Sequence, residues 1–270
     1  MQQLKSQVLA VALCVGLFAP VATPAPGALT AREIMQRVND RDDGDEITSD
    51  LEMVLIDKNG NERRREIRSF SKDYGKDTRS IIFFLSPADV KDTGFLTYDY
   101  DSVDQDDDQW LYLPALKKTK RIASTDQSGS FLGSDFSYAD LTERPLDRYD
   151  FELMQETEVR GAKAWQIQAT PRTQDEIDRT GYTKAILFVL QDNFVVVRAA
   201  SWLTKSNRIK YYDVKELSQV DGIWVGTEIH MTTKRGKETL HKTVLKTANI
   251  AFGQGHTDAT FSTRKLENGL

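Results

Sequence analysis

Thirteen short runs in which apolar and polar residues alternate follow one another between residues 51 and 251, and no other feature limits the fold so strongly. A period of two puts successive side chains on opposite faces of a strand, so each run predicts one β-strand. The runs lie at 51–56, 62–72, 78–85, 94–100, 109–113, 119–123, 149–158, 162–170, 183–191, 194–204, 207–217, 223–234 and 238–251. Lys58-Asn59-Gly60-Asn61 is a hairpin signal, and Asp192-Asn193, Asp221-Gly222 and Arg235-Gly236 are short turns between later runs. Strands joined this tightly pair antiparallel. No Gly-rich phosphate loop follows any of them, which speaks for a meander and against βαβ units.

The strand faces are unequal. Trp165 with Ile167, Ala200 with Trp202, and Ile223, Val225, Ile229 and Met231 each mark an apolar side, while Arg, Lys and Glu populate the other. Such a sheet hides its apolar face by closing, by packing a helix over it, or by holding a ligand. Helical pattern is scarce. Thr30-Ala31-Arg32-Glu33 is a capping box, and Ile34, Met35 and Val38 follow at helical spacing, predicting a short amphipathic helix over 31–41 that ends at Asp42-Asp43-Gly44. The expected fold class is mainly β: a half-open, strongly curved antiparallel barrel with short helices as a lid or plug.

The N-terminal stretch predicts two segments, a cleaved secretory signal peptide over 1–27 and a single β domain over 28–270. Lys5 supplies a positive start, and Ala25-Pro26-Gly27 is a small-residue cleavage site. The apolar run Val8 to Ala19 is shorter than the roughly 20 residues a membrane helix needs. Cys14, the one cysteine, sits within that run behind the large Leu13, which argues against a lipidated terminus. A lone cysteine excludes an intramolecular disulfide and any multi-thiolate metal site. Loss of the segment removes only Lys5 among charged groups, taking the net charge from −5 to −6.

That balance argues against nucleic acid as a partner, and Arg63-Arg64-Arg65 is too short a basic run to reverse it. Candidate chemistry is thin elsewhere. Asp99, Asp101, Asp104, Asp106, Asp107 and Asp108 lack the Gly and Glu positions of an EF-hand loop, so the run reads as a solvated hairpin loop. Gly129-Ser130-Phe131-Leu132-Gly133 has its serine second rather than third, unlike a nucleophile elbow. His230, His241 and His256 form no i, i+4 helical pair, so no catalytic metal is expected. Neither an enzyme activity nor a cofactor is expected from these residues.

The densest stretch is 109–141. It reads Gln109-Trp110-Leu111-Tyr112-Leu113-Pro114-Ala115-Leu116-Lys117-Lys118-Thr119-Lys120-Arg121-Ile122, then Gly129-Ser130-Phe131-Leu132-Gly133-Ser134-Asp135-Phe136-Ser137-Tyr138-Ala139-Asp140-Leu141. Phe131, Phe136 and Tyr138 on a Gly-flanked loop form either a movable gate or a fixed plug of the barrel end. Lys117, Lys118, Lys120 and Arg121 are either a contact for lipid headgroups or an acidic partner, or a solvated charge cluster. Trp110, Tyr112, Leu113, Trp165 and Trp202 join the three loop aromatics as candidates for lining a cavity.

In this stretch the chain resembles bacterial outer-membrane lipoprotein-sorting proteins of the LolA-like superfamily. A strand of the form Trp/Met-x-Tyr-x-Pro with a basic pair after it, and a loop of the form Gly-Ser-Phe-x-Gly-Ser-Asp-Phe-x-Tyr-x-Asp-Leu, are that family's most recognisable features. The resemblance runs from about residue 30 to 267 and marks family and fold rather than a catalytic act. It implies a concave apolar face that accepts acyl chains, a periplasmic location in a Gram-negative envelope, and a lipid or lipoprotein cargo. It also implies passage of cargo from an exporter of the resistance-nodulation-division type, with a monomeric carrier making transient membrane-protein contacts. The chain is longer than the true sorting carrier and carries the Gly-Ser-Phe loop besides, so the identity of the cargo stays open. A module that senses envelope lipids or mislocalised lipoproteins through the same cavity is the alternative expectation.

Energetics constrains any such carrier. Burying acyl chains contributes about 0.8 kcal/mol per CH₂, so three chains of about sixteen carbons would approach 40 kcal/mol, roughly double the ceiling for non-covalent binding. Partial burial under a mobile lid is therefore expected.

Overall fold

The computed structural model describes residues 29–204 and 206–270. The expected signal peptide and Cys14 lie outside the described residues. The chain forms α1 (Ala31–Asn39), β1 (Glu46–Asp57), β2 (Glu62–Tyr74), β3 (Asp77–Ser86), β4 (Gly94–Asp99), β5 (Asp108–Leu113), β6 (Lys118–Ile122), β7 (Tyr149–Val159) and β8 (Ala162–Pro171). It continues with α2 (Gln174–Thr180), β9 (Tyr182–Leu190), β10 (Val196–Leu203), β11 (Arg208–Val220), β12 (Ile223–Arg235), β13 (Glu238–Phe252) and α3 (Thr263–Asn268). Each of the thirteen expected strands is present within a few residues of its alternating run. No helix among the described residues is long and apolar enough to cross a membrane.

One antiparallel sheet holds every strand, in the order β6-β5-β4-β3-β2-β1-β13-β12-β11-β10-β9-β8-β7. Two meanders, β1 to β6 and β7 to β13, are joined where β1 pairs with β13, with Met53 opposite Leu245 and Leu55 opposite Thr243. This arrangement leaves β6 and β7 as the two edges. They do not pair with each other, so the sheet is not closed by backbone hydrogen bonds. Residues 123–148 carry the chain from one edge to the other.

The sheet is nevertheless sharply curled. In a flat sheet β5 and β8 would stand ten spacings apart, about 48 Å. Yet Arg179 on α2, just after β8, lies 3.5 Å from Asp107, just before β5. Arg148, at the start of β7, likewise donates to the Val103 carbonyl at 2.9 Å. Ion pairs and side-chain bonds thus link the two edge regions where a ladder does not.

The inner face is apolar along its whole width. Met53, Leu55, Ile67, Phe84, Phe95, Leu111 and Met231 are buried beneath residues 131–136, and Ile167, Ala169, Leu187, Val189 and Ala199 are buried beneath α1. Partly buried Tyr212 touches both groups. The capping box sets α1 in place: the Glu33 carboxylate accepts from the Thr30 amide at 2.8 Å, and Thr30 Oγ1 accepts from the Glu33 amide at 3.2 Å. Its buried stripe is Ala31, Ile34 and Met35.

The outer face departs from the expected polar pattern. Over β3 and β4 it carries fully buried Ile81, Phe83 and Leu96, covered by Phe261 and by Leu266 of α3. The cause is written in β3, where Ile81-Ile82-Phe83-Phe84 is continuously apolar and so needs cover on both sides. Gly94 lets α3 approach closely, since a Cβ there would meet Leu266 Cδ1 at 2.6 Å.

Candidate functional site

Residues 123–148 form a strap over the inner face. Its core is a small hairpin in which the Phe131 amide donates to the Phe136 carbonyl at 2.8 Å, and Ser130 and Ser137 form an isolated bridge. Two successive left-handed residues, Leu132 and Gly133, make the tip. The Arg65 guanidinium donates to the Leu132 carbonyl at 2.8 Å, so the tip is pinned to β2.

The loop aromatics point down into the sheet. Phe131 is 1% exposed, with its ring centroid 5.1 Å from Phe95 and 5.7 Å from Tyr138. Phe136 is buried in the same cluster, and Leu113 and Tyr138 pack against it partly buried. Trp165 lies on the inner face too, in the region under α1, stacked on Phe194 at 5.6 Å. The other three candidates sit elsewhere. Trp110 and Tyr112 occupy the outer face with the α3 cluster, Trp110 edge-on to Tyr98 at 5.1 Å. Trp202 alternates off the buried Ala199 and Ser201, and Lys184 Nζ stands 4.6 Å from its ring. Lys117, Lys118, Lys120 and Arg121 are exposed on the β5–β6 hairpin. Lys120 is 3.8 Å from Asp126, and Arg121 Nε donates to Asp108 at 2.9 Å.

Two carboxylates that the sequence reading left without a role anchor the strap. Asp135, 4% exposed, accepts from Thr233 Oγ1 at 2.5 Å, Thr243 Oγ1 at 2.9 Å and His241 Nδ1 at 2.7 Å. Asp140 accepts from the Tyr182 hydroxyl at 2.8 Å and the Ser137 amide at 2.8 Å, with Lys210 Nζ at 3.4 Å and Arg144 at 3.3 Å. Burial alone would push the Asp140 carboxyl up. The Lys210 and Arg144 charges and the donated hydrogen bonds outweigh that and hold it below the ordinary carboxylate value. The strap is thereby tied through Asp135 to β12 and β13 and through Asp140 to β9 and β11.

A family model described as uncharacterized protein-like matches residues 76–268. No curated protein matches the chain. A DUF1329 family protein from Desulfovibrio piger is 29% identical, with 87% of this chain and 97% of that one covered at a TM-score of 0.80. A domain from Vibrio parahaemolyticus described as an outer membrane lipoprotein-sorting protein is 28% identical, covering 88% of this chain and 98% of its own at a TM-score of 0.79. The chain belongs to the family of that model, and its fold matches LolA-superfamily and outer membrane lipoprotein-sorting protein domains over most of its length. A LolA superfamily protein from Nitrosomonas europaea, 17% identical over 87% of this chain and 98% of that one, shares the fold at a TM-score of 0.66.

In this LolA-like chain the acidic run is only partly the solvated loop expected. Asp107 is buried and accepts from the Tyr100 amide at 3.2 Å, while Asp99 accepts from the Glu143 amide at 2.6 Å. The loop folds back on its own ends, which carries these two carboxyls inward. Burial, followed by the neighbouring Asp107 charge, pushes Asp99 up to about 8, and burial raises Asp107 as well. Asp99 borders a cleft of about 850 Å³ whose wall also includes Asp40, Asp43, Asp73, Asp101 and Glu143. Among the described residues no group of three or more His, Cys, Asp or Glu side chains is arranged to hold a metal ion.

Proposed function

We propose that this LolA-like chain is a non-enzymatic periplasmic carrier that takes the acyl part of a lipid or lipoprotein onto its inner face and passes it between envelope components. One observation carries the reading: the inner apolar face is covered by segments that are not strands of the sheet. Among the described residues, α1 and residues 127–141 of the strap make no ladder pairing with the sheet and hold to it through side chains. Displacing them exposes contiguous apolar surface without breaking a strand. Phe131 and Phe136 then act as stand-ins for acyl carbons, filling the face when cargo is absent. Their replacement by cargo of similar apolar area keeps net affinity well below the sum of buried methylenes, as release requires.

The Vibrio parahaemolyticus relative, whose description names lipoprotein sorting, supports the cargo class. Transfer from a resistance-nodulation-division exporter is the route this reading assigns. The test is purification from the native host, followed by extraction and mass spectrometry of bound lipid. An acyl lipid or lipoprotein is expected to co-purify, and transfer to acceptor vesicles should follow. Protein that carries no acyl matter and takes up no long-chain acyl probe overturns the reading. Uptake without transfer favours the sensing alternative.

A further inference from the structure

Four hairpin turns lie side by side along one rim of the sheet. The β5–β6 turn (114–117), the β3–β4 turn (87–93), the β1–β2 turn (58–61) and the β12–β13 turn (236–237) all fall at the same end of successive neighbours. Successive turns are two strand spacings apart, about 10 Å. Exposed Lys58, Lys91, Lys117, Lys118, Arg235 and Lys237 stand on or beside these turns, and none of them forms an ion pair among the described residues. The carboxylates on or beside the same turns are Asp57, Glu62, Asp89, Asp92 and Glu238; Asp57 is engaged with the Asn59 and Asn61 amides of its own turn, and Glu62 pairs with Arg64. The opposite rim has the reverse character, with Asp42, Asp43, Asp45, Asp101, Asp104 and Asp106 against Arg41 and Lys76.

The outermost apolar group on the basic rim is Leu116, 62% exposed and the most exposed of the large hydrophobic residues described. It ends a tight turn begun by Pro114, and Lys117 follows in the left-handed region at φ 48°. The side chain therefore projects from a constrained tip rather than a loose loop, with Lys117 and Lys118 immediately behind it.

We propose that this rim is a docking surface for an anionic lipid bilayer, with Leu116 entering the interfacial region while Lys117 and Lys118 meet headgroup phosphates. A protein partner fits the shape less well. One leucine on a convex tip offers far less than the roughly 800 Å² per side of a stable protein interface, whereas a bilayer deforms around any convex apolar tip. The charge asymmetry also sets orientation, because the acidic rim is repelled by the surface that attracts the basic one.

The test is flotation of the exported, processed protein with vesicles of phosphatidylcholine alone and of phosphatidylcholine mixed with phosphatidylglycerol, all variants sharing one N-terminus. Binding is expected only to the phosphatidylglycerol vesicles and should weaken as salt rises. Each lysine is expected to contribute about fivefold to the partition coefficient, so K117A/K118A should lower it about 25-fold. Leu116→Ser should lower binding severalfold while leaving the salt dependence in place. These residues are exposed, and an unchanged urea midpoint will verify that the variants fold. Equal binding to both vesicle types, or binding that K117A/K118A and Leu116→Ser leave unchanged, overturns the proposal. So does salt-dependent capture by an acidic protein with no vesicle binding. Flotation needs no cargo, so its failure is separable from a failure of the carrier reading, which extraction of bound lipid tests.

Discussion

His241 Nδ1 lies 2.7 Å from Asp135 Oδ2, and because an ionised carboxylate can only accept, the ring donates. Thr233 and Thr243 complete the set of donors, so the tip of the strap is held by a carboxylate whose oxygens are both engaged. Asp135→Asn places an amide N–H₂ against groups that themselves donate. The expected cost is about 1–3 kcal/mol, that of a buried polar group left badly paired. A lower urea midpoint with an unchanged slope, together with faster amide exchange over residues 129–141, is the expected result. Unchanged exchange in that segment would show that the tip is held by its aromatics alone.

The second anchor is more demanding because it joins two opposite charges that are both largely buried. Lys210 Nζ stands 3.4 Å from Asp140, with both side chains at most 10% exposed. Removing one partner from a buried pair strands the other, typically at 3–5 kcal/mol, so Lys210→Met should destabilise by about that range. Arg144 remains beside Asp140 and sets the loss toward the lower end. In the D140N/K210M double variant the stranded charge is gone, and the double-mutant cycle should return a favourable coupling. Strict additivity would mean that Lys210 and Asp140 do not interact.

Much of this fold is legible in the chain because period-two alternation is local information. Each of β1 to β13 has its own run, and the Thr30-Glu33 box announces α1. The helices α2 and α3 were missed, being seven and six residues long and too short for a helical period to declare itself. For α2 the signals were nonetheless there, in Thr173 as N-cap and Gly181 in the left-handed region after it. Faces were harder than strands. Trp110 and Leu111 are neighbours on a strand covered from both sides, so alternation reveals that they face apart but not which of them meets the strap. The strap anchors escape sequence reading for a different reason. The partners of Asp135 lie 98 to 108 residues away along the chain, and Lys210 lies 70 residues from Asp140.

Gly94 offers a test of how α3 is seated. A methyl group there would lie 2.6 Å from Leu266 Cδ1 and 3.3 Å from the Leu266 carbonyl oxygen, so Gly94→Ala cannot be absorbed by the side chain alone. Overpacking of this kind costs typically 1–3 kcal/mol. A fall in the thermal midpoint of Gly94→Ala is expected, and because Leu266→Ala by itself empties a buried site at about 2–5 kcal/mol, the double variant should lose clearly less than the sum of the two single losses. Strictly additive losses would place the strain elsewhere.

The last prediction concerns pH. Asp99 has an ordinary value of 3.8 and is pushed up to about 8 in the folded chain, first by burial and then by the Asp107 charge. Between those two values the folded state binds a proton that the unfolded state has released. Stability then falls as pH rises, since the slope follows protons bound unfolded minus protons bound folded. This contribution is absent below about pH 4, grows through the window, and is complete above about pH 8. It runs opposite to Asp140, whose lowered value makes its contribution fade on acidification. Asp99→Asn keeps a carbonyl oxygen for the Glu143 amide and removes the titration. The variant should therefore be more stable than the parent at pH 8, equal to it near pH 4, and flatter between. Urea unfolding midpoints at pH 5, 6, 7 and 8 measure this directly. A difference that stays constant across the series would mean that Asp99 is ionised in the folded chain throughout.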